Sequence, residues 1–109
     1  MHEPPSGTPL SARLGPVSGN PEWAEAIARF SPHLVLCGHD HVTPMKNRRW
    51  HCRLGDTVCA NVGQNDSEDL CFVVVEMTFP QRTACPPAKT VVRAYPWGEA
   101  VTVLPDPRR

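Results

Sequence analysis

His33-Leu34-Val35-Leu36-Cys37-Gly38-His39-Asp40-His41 is the stretch of this sequence that decides its predicted fold. Leu34 to Cys37 is an uninterrupted apolar run, which is typical of a strand covered on both faces in a parallel or mixed α/β sheet. Gly38 ends the strand and lets the backbone turn sharply without a Cβ. The histidines that follow therefore lie at the carboxyl end of a strand, where open α/β sheets place their ligand sites.

A helix is predicted just before this strand, over residues 20–30. Asn20 can cap its N-terminus. Trp23, Ile27 and Phe30 are spaced i, i+4 and i+7, so they form one apolar stripe that we expect to pack on a sheet. This order of elements predicts an α/β fold.

The sequence after the histidines predicts further strands, so that residues 34–79 form the core strands and loops. Residues 46–53 are polar and basic, and we expect a solvated loop there. A second strand is predicted from Thr57 to Val62. The run from Leu70 to Phe79 has apolar side chains at both odd and even positions through Val75, so it is predicted to be the central and most buried strand.

Loops and a hairpin complete the single partial domain that we predict over residues 1–109. Residues 3–19 are rich in Pro, Gly and Ser, so we expect a long loop that cannot bury itself. Residues 88–104 are predicted to form a hairpin that has one solvent-exposed face or lies at the edge of a sheet. Residues 105–109 are predicted to be a tail.

Composition narrows the possible partners. Lys+Arg and Asp+Glu both number 11, so there is no basic field for nucleic acid or an anionic membrane. No apolar run approaches the roughly 20 residues that span a bilayer, and the N-terminus resembles no signal peptide, so we expect a cytoplasmic protein. The five cysteines are an odd number without a C-x-x-C pair, which argues against a disulfide framework.

His39 and His41 are candidate metal ligands. Imidazoles at i and i+2 can project toward the same side of an extended segment, where they can reach one metal ion or two neighbouring ions. The alternative for a bare Gly-His-x-His sequence is a surface turn that happens to contain two histidines. Asp40 between them is expected to be a supporting or solvent-facing side chain.

The Gly38-His39-Asp40-His41 loop after a buried strand resembles the last metal motif of the calcineurin-like metallophosphoesterase family. His2-Glu3-Pro4-Pro5-Ser6-Gly7 is similar to an upstream ligand segment of that family, and Asn61-Val62-Gly63-Gln64 is similar to its Asn-x-Gly turn. The resemblance covers residues 2–79. It implies the C-terminal part of a layered α/β sandwich, with a mixed sheet, one main helix and an edge hairpin.

The resemblance also implies a site and an activity. His2 and His39 would bind one metal of a two-metal centre, and His41 would bind the other. Three residues would support the surrounding turns: Gly38, Asn61 and Gly63. Neutral imidazole suits Mn, Fe or Zn. The implied reaction is hydrolysis of a phosphomonoester or phosphodiester by a metal-bound hydroxide, while both ions neutralise the developing charge.

The sequence departs from the family in its earlier motifs. Asp-x-His and Gly-Asn-His do not occur, and Gly55-Asp56 follows the histidine loop, so it is predicted to be a turn. Nothing visible in the sequence holds His2 in place. We therefore expect the C-terminal half of a phosphoesterase, through truncation, a late start codon or a split gene, which needs a missing N-terminal half or self-associates. The alternatives are a single zinc held in an open site by the three histidines, and a non-catalytic remnant used for binding or assembly.

Two smaller clusters of polar residues could have functional roles, but structural interpretations are preferred for both. The basic residues around Trp50 could approach a phosphate or a base, but a solvated loop is the preferred interpretation. They are Lys46, Arg48, Arg49 and Arg53. His51, Cys52 and Cys59 could form a small zinc site, although their spacing matches no standard zinc finger.

Overall fold

The computed structural model describes residues 2–11, 19–65, 69–80 and 87–108 and divides the chain into two compact units, Met1–Cys71 and Phe72–Arg109. In the described ranges the fold is α/β, with two helices and two three-stranded sheets. In chain order the elements are α1 (Pro21–Phe30), β1 (Leu34–Leu36), α2 (Thr43–Asn47), β2 (His51–Leu54), β3 (Thr57–Ala60), β4 (Phe72–Thr78), β5 (Lys89–Tyr95) and β6 (Glu99–Leu104). None of the described helices is long and apolar enough to cross a membrane.

Helix α1 confirms the predicted helix and its cap. The Asn20 side chain accepts hydrogen bonds from two backbone N–H groups of the first turn, and Ser31 ends the helix in the left-handed conformation. The predicted apolar stripe is only partly buried. Ile27 is 2 % exposed and joins the core, but Trp23 is 38 % and Phe30 is 71 % exposed. The prediction that all three side chains pack on a sheet is therefore wrong for Trp23 and Phe30, because the contact with the core centres on the middle of the helix.

The first unit contains the mixed sheet that the sequence predicted. Its strand order is β1-β3-β2, with β1 parallel and β2 antiparallel to the central β3. All four residues of β3 are buried. The prediction that β1 is covered on both faces is wrong, since Val35 is buried but Leu36 is 42 % exposed. The hydrophobic core of this unit is a cluster of five buried side chains: Leu10, Ile27, Val35, Cys52 and Cys59.

The segment between β1 and β3 is more ordered than its polar sequence predicted. The predicted loop over residues 46–53 instead contains the end of α2 and most of β2, and Trp50 within it is only 1 % exposed. Strand β2 forms because the Gly55-Asp56 turn folds it back onto β3 in antiparallel register. Antiparallel backbone pairing tolerates charged side chains, so a basic composition does not exclude a strand. The sequence therefore did not predict β2.

The N-terminal segment is the second predicted loop that the structure corrects. The loop over residues 3–19 was expected not to bury itself, yet Pro4, Pro5, Leu10 and Ser11 are all buried. The Ser11 hydroxyl donates to the carbonyl of Pro5 at 2.8 Å, so burial leaves that carbonyl satisfied. Residues 12–18 of the predicted loop lie outside the described residues.

The second unit is an antiparallel sheet of order β4-β5-β6. The prediction that the run from Leu70 to Phe79 is the central and most buried strand is wrong, because β4 is at the edge of the sheet and most of its residues are exposed. The predicted hairpin is confirmed as β5 and β6, but β5 is the central strand rather than an edge, with Val92 fully buried. The solvent-exposed face of β5 carries Arg93, which forms an ion pair with Glu76 at 2.7 Å.

Candidate metal-binding loop

The turn after β1 is centred on His39. The backbone N–H of Asp40 donates to the carbonyl of Gly38 at 2.7 Å, and His39 between them has a φ of 66°. This is a γ-turn of the rare, strained kind. The sharp turn was predicted at Gly38, but Gly38 has no positive φ, so the strain lies on the histidine itself. Strained backbone of this sort concentrates at functional sites.

The structure brings His2 next to His39. Their ring centroids are 4.6 Å apart, with an angle of 55° between the ring planes. The backbone N–H of Gly38 donates to the carbonyl of His2 at 2.8 Å, which ties the N-terminal segment to the start of the loop. Two ligand nitrogens on one tetrahedral zinc ion lie roughly 3.3 Å apart. The spacing of the two rings is compatible with that distance.

Asn20 holds the His2 segment from its other side. Its backbone N–H donates to the carbonyl of Pro4 at 2.9 Å, and its side-chain amide donates to the Glu3 carboxylate at 2.8 Å. The same side chain caps α1. The position of His2 is therefore set by the helix N-terminus and by Gly38. No local sequence pattern predicts these anchors, because they are long-range contacts that involve mainly backbone groups.

His41 is not gathered with the other two histidines. Its side chain is exposed, and its carbonyl accepts a hydrogen bond from the Gln64 backbone N–H at 3.0 Å. Across the described parts of the chain, no three His, Cys, Asp or Glu side chains form a group that could hold a metal ion. Residues i and i+2 project toward the same side only in an extended segment, and the γ-turn at His39 removes that condition.

Asp40 binds the backbone at the start of α2, whose N-cap is Val42. Its carboxylate accepts hydrogen bonds from the backbone N–H groups of Val42, at 3.2 Å, and Thr43, at 2.9 Å, and from the Thr43 hydroxyl. The sequence predicts a supporting or solvent-facing side chain, and these contacts show that it supports the start of α2. By binding the first turn of α2, Asp40 fixes the backbone between the two histidines of the loop.

The Asn61-Val62-Gly63-Gln64 turn packs directly against the histidine loop. Asn61 is 3 % exposed, and its amide donates to the carbonyl of Asp40 at 2.9 Å while its side-chain oxygen accepts from the Gly63 N–H at 3.1 Å. Gly63 has a φ of 67°, and a Cβ there would lie 2.7 Å from the carbonyl oxygen of His41. Glycine is therefore required by both conformation and space. The two turns singled out in the sequence form one structural unit.

Cys37 precedes the loop but is a poor candidate ligand. Burial, together with the nearby Cys52, raises the pKa of the Cys37 thiol to about 12. Its sulfur donates to the carbonyl of Ala60 at 3.3 Å. Metal binding requires the thiolate, so we interpret Cys37 as a core residue that secures the end of β1.

Comparisons with protein-family models, curated proteins and solved structures give no match to this chain. The functional interpretation therefore depends on the motif resemblance and on the contacts of the loop.

Proposed function

We propose that His2 and His39 are ligands of one divalent metal ion in a phosphoesterase site. The observation that carries this proposal is the 4.6 Å distance between the centroids of the two imidazole rings. A hydrogen bond from the Gly38 backbone N–H to the His2 carbonyl joins the N-terminal segment to the loop. Neutral imidazoles suit Mn, Fe or Zn. When bound, such an ion supplies Lewis acidity and neutralises charge on a phosphoester.

The surrounding residues of this chain hold the ligands in place. Asp40 fixes the loop through α2, while the Asn61 amide donates to the Asp40 carbonyl and Gly63 lies against the carbonyl of His41. Orientation by such neighbouring groups contributes strongly to metal affinity. The strained φ of His39 also supports a functional interpretation, because a strained backbone persists only where the surroundings enforce it.

Two histidines are too few ligands for a catalytic metal ion, which normally has three protein ligands and an open position. We therefore propose that further ligands come from polypeptide outside these 109 residues. His41, with its exposed side chain, is the proposed ligand of a second ion. The proposed substrate is a phosphomonoester or a phosphodiester, by the resemblance of the loop to metallophosphoesterases.

A binding or assembly module without catalysis is the second candidate function. Edge strand β4 favours it, because several of its large apolar side chains are exposed: Phe72, Val74 and Met77. An exposed apolar edge strand is a typical site for pairing with another chain. The two functions differ in whether the histidines bind metal.

Calorimetric titration with Zn²⁺ and Mn²⁺ tests the ligand pair. We expect one ion to bind the wild-type chain, and His2→Ala and His39→Ala each to lower its affinity at least about tenfold. His33→Ala is the matched control, because His33 is also exposed and lies in the same unit but outside the loop. Equal affinity in all four proteins would eliminate the proposed site.

Hydrolysis tests the reaction separately. The full chain, alone and with added Mn²⁺, is assayed with a chromogenic aryl phosphodiester and the matching monoester. Metal-dependent turnover that is lost in His39→Ala would support a phosphoesterase. Metal binding without turnover would favour the need for outside ligands, and absence of both would favour the binding module.

A further inference from the structure

Cys52 and Cys59 form a thiol pair across the hairpin of the first unit. They are direct partners in the antiparallel register of β2 and β3, and they are 7 % and 0 % exposed. Both belong to the core cluster and both are free thiols. The metal-binding proposal makes no use of either.

The Cα separation of this pair lies within the range that a disulfide spans. The Asn61 N–H donates to the Trp50 carbonyl at 2.7 Å, so the partners two residues further along the hairpin, Cys52 and Cys59, are also a hydrogen-bonded pair. In such pairs the Cα atoms are about 5.5 Å apart, and disulfides span about 4.4–6.8 Å. The side chains of direct partners also point to the same face of the sheet.

The two sulfurs have different proton affinities. The hydrogen bond from Cys59 is the main cause that lowers the pKa of Cys52, and Arg49 and Thr8 act in the same direction against the effect of burial. The same hydrogen bond and burial raise the pKa of Cys59. Cys52 is therefore the sulfur that more readily becomes a thiolate, and it is also the more exposed of the two.

A metal site is the rival use of these thiols. Cys37 packs against the same cluster, but its thiol donates to the Ala60 carbonyl instead. In the described parts of the chain, these three cysteines do not form a group that could hold a metal ion. Chemistry between two thiols is the use that the geometry favours.

We propose that Cys52 and Cys59 are a redox-modification site, which hydrogen peroxide converts into a disulfide between the two strands. The Cys52 thiolate attacks one peroxide oxygen, the O–O bond breaks, and hydroxide leaves, so Cys52 becomes a sulfenic acid. The Cys59 sulfur then attacks the Cys52 sulfur. The S–O bond breaks, the Cys59 proton goes to the leaving oxygen, and water departs. Overall, two thiols and one peroxide give one disulfide and two waters.

The bond should be easy to reduce again. In a hydrogen-bonded pair the Cβ atoms are about 5.5 Å apart, whereas a disulfide holds them at about 3.5–4.5 Å. Closing the bond must pull β2 and β3 together by roughly 1 Å, and strained disulfides are the labile ones. Reduction by a dithiol should therefore restore both free thiols.

Peptide mapping of the folded chain tests this site. Trypsin cleaves after Arg49, Arg53 and Arg82, which places Cys52 in peptide 50–53 and both Cys59 and Cys71 in peptide 54–82. In Cys71→Ser the second peptide has only Cys59, so a link between the two peptides is unambiguous. After peroxide treatment and alkylation, we expect this linked species in a monomer on a non-reducing gel, and its loss after dithiol reduction.

Two results would overturn the site. One is recovery of peptide 50–53 with an alkylated or over-oxidised Cys52 and no link to peptide 54–82. The other is a link found only in a covalent dimer, because the proposed bond lies within one chain. In Cys59→Ser, checked for folding by circular dichroism, a dimedone adduct on Cys52 is expected, since the second thiol that would consume the sulfenic acid is gone.

Discussion

Replacing Gly63 with alanine tests the contact between the Asn61 turn and the histidine loop. Gly63 and Gly55 both have a positive φ, 67° and 62°, so alanine at either position is strained by about 1–2 kcal/mol. They differ in their surroundings. A Cβ at Gly63 would lie 2.7 Å from the His41 carbonyl oxygen, whereas a Cβ at Gly55 would meet no atom within 4 Å.

The clash should add to the conformational strain. The His41 carbonyl must move to relieve the clash. This movement would weaken or break the 3.0 Å hydrogen bond that it accepts from the Gln64 backbone N–H. Such a bond contributes about 0.5–1.5 kcal/mol, so we expect Gly63→Ala to lower the free energy of unfolding by about 1.5–3.5 kcal/mol and Gly55→Ala by about 1–2 kcal/mol.

Urea denaturation followed by circular dichroism measures both variants against the wild-type chain. Zinc affinity provides the second measurement, because only Gly63→Ala should disturb the histidine loop and weaken binding. Equal destabilisation by the two substitutions, with unchanged zinc affinity in both, would refute the inference that Gly63 fixes the position of His41.

Three other predictions concern residues of the first unit. Because His39 has a φ of 66°, His39→Gly should be more stable than His39→Ala by roughly 1 kcal/mol in urea denaturation, and the opposite order would contradict the strained turn. Trp50→Ala should lower the free energy of unfolding by about 3–5 kcal/mol because Trp50 is 1 % exposed. Trp23→Ala, at 38 % exposure, should have a much smaller effect, and similar losses would count against the buried position of Trp50. The pKa of Cys37 is raised from 9.0 to about 12 in the folded chain, so its contribution to stability is present below pH 9 and is lost as the pH rises toward 12. Unfolding of the wild type and Cys37→Ala between pH 8 and 10.5 should therefore show a steeper alkaline loss in the wild type, and parallel curves would contradict the raised pKa.

Local signals in the sequence predicted the elements that depend on local chemistry. Helix α1 follows from its Asn20 cap, and the hairpin of β5 and β6 follows from two short strands around a turn. Strand β4 was misplaced because apolar residues at both parities suit a central strand but do not show which strands flank it. Strand β2 was missed because its partner, not its polar composition, determines its structure.

The candidate site was predictable in its residues and not in its geometry. The Gly-His-Asp-His motif indicated which residues are candidate ligands, but the γ-turn at His39 depends on tertiary contacts that no local pattern encodes. The anchoring of His2 by Gly38 and Asn20 joins segments far apart in the sequence through backbone groups. Such bonds are independent of side-chain type, so the residues gave no signal of them.

The most direct measurement of the His2–His39 pair is a zinc titration followed by ¹H–¹⁵N NMR of the imidazole nitrogens. We predict that His2 and His39 shift together and saturate at one equivalent of zinc, because their rings are 4.6 Å apart. His33 and His51 should stay unchanged at that point. A shift of His39 without His2, or equal shifts of all five histidines, would contradict the proposed ligand pair.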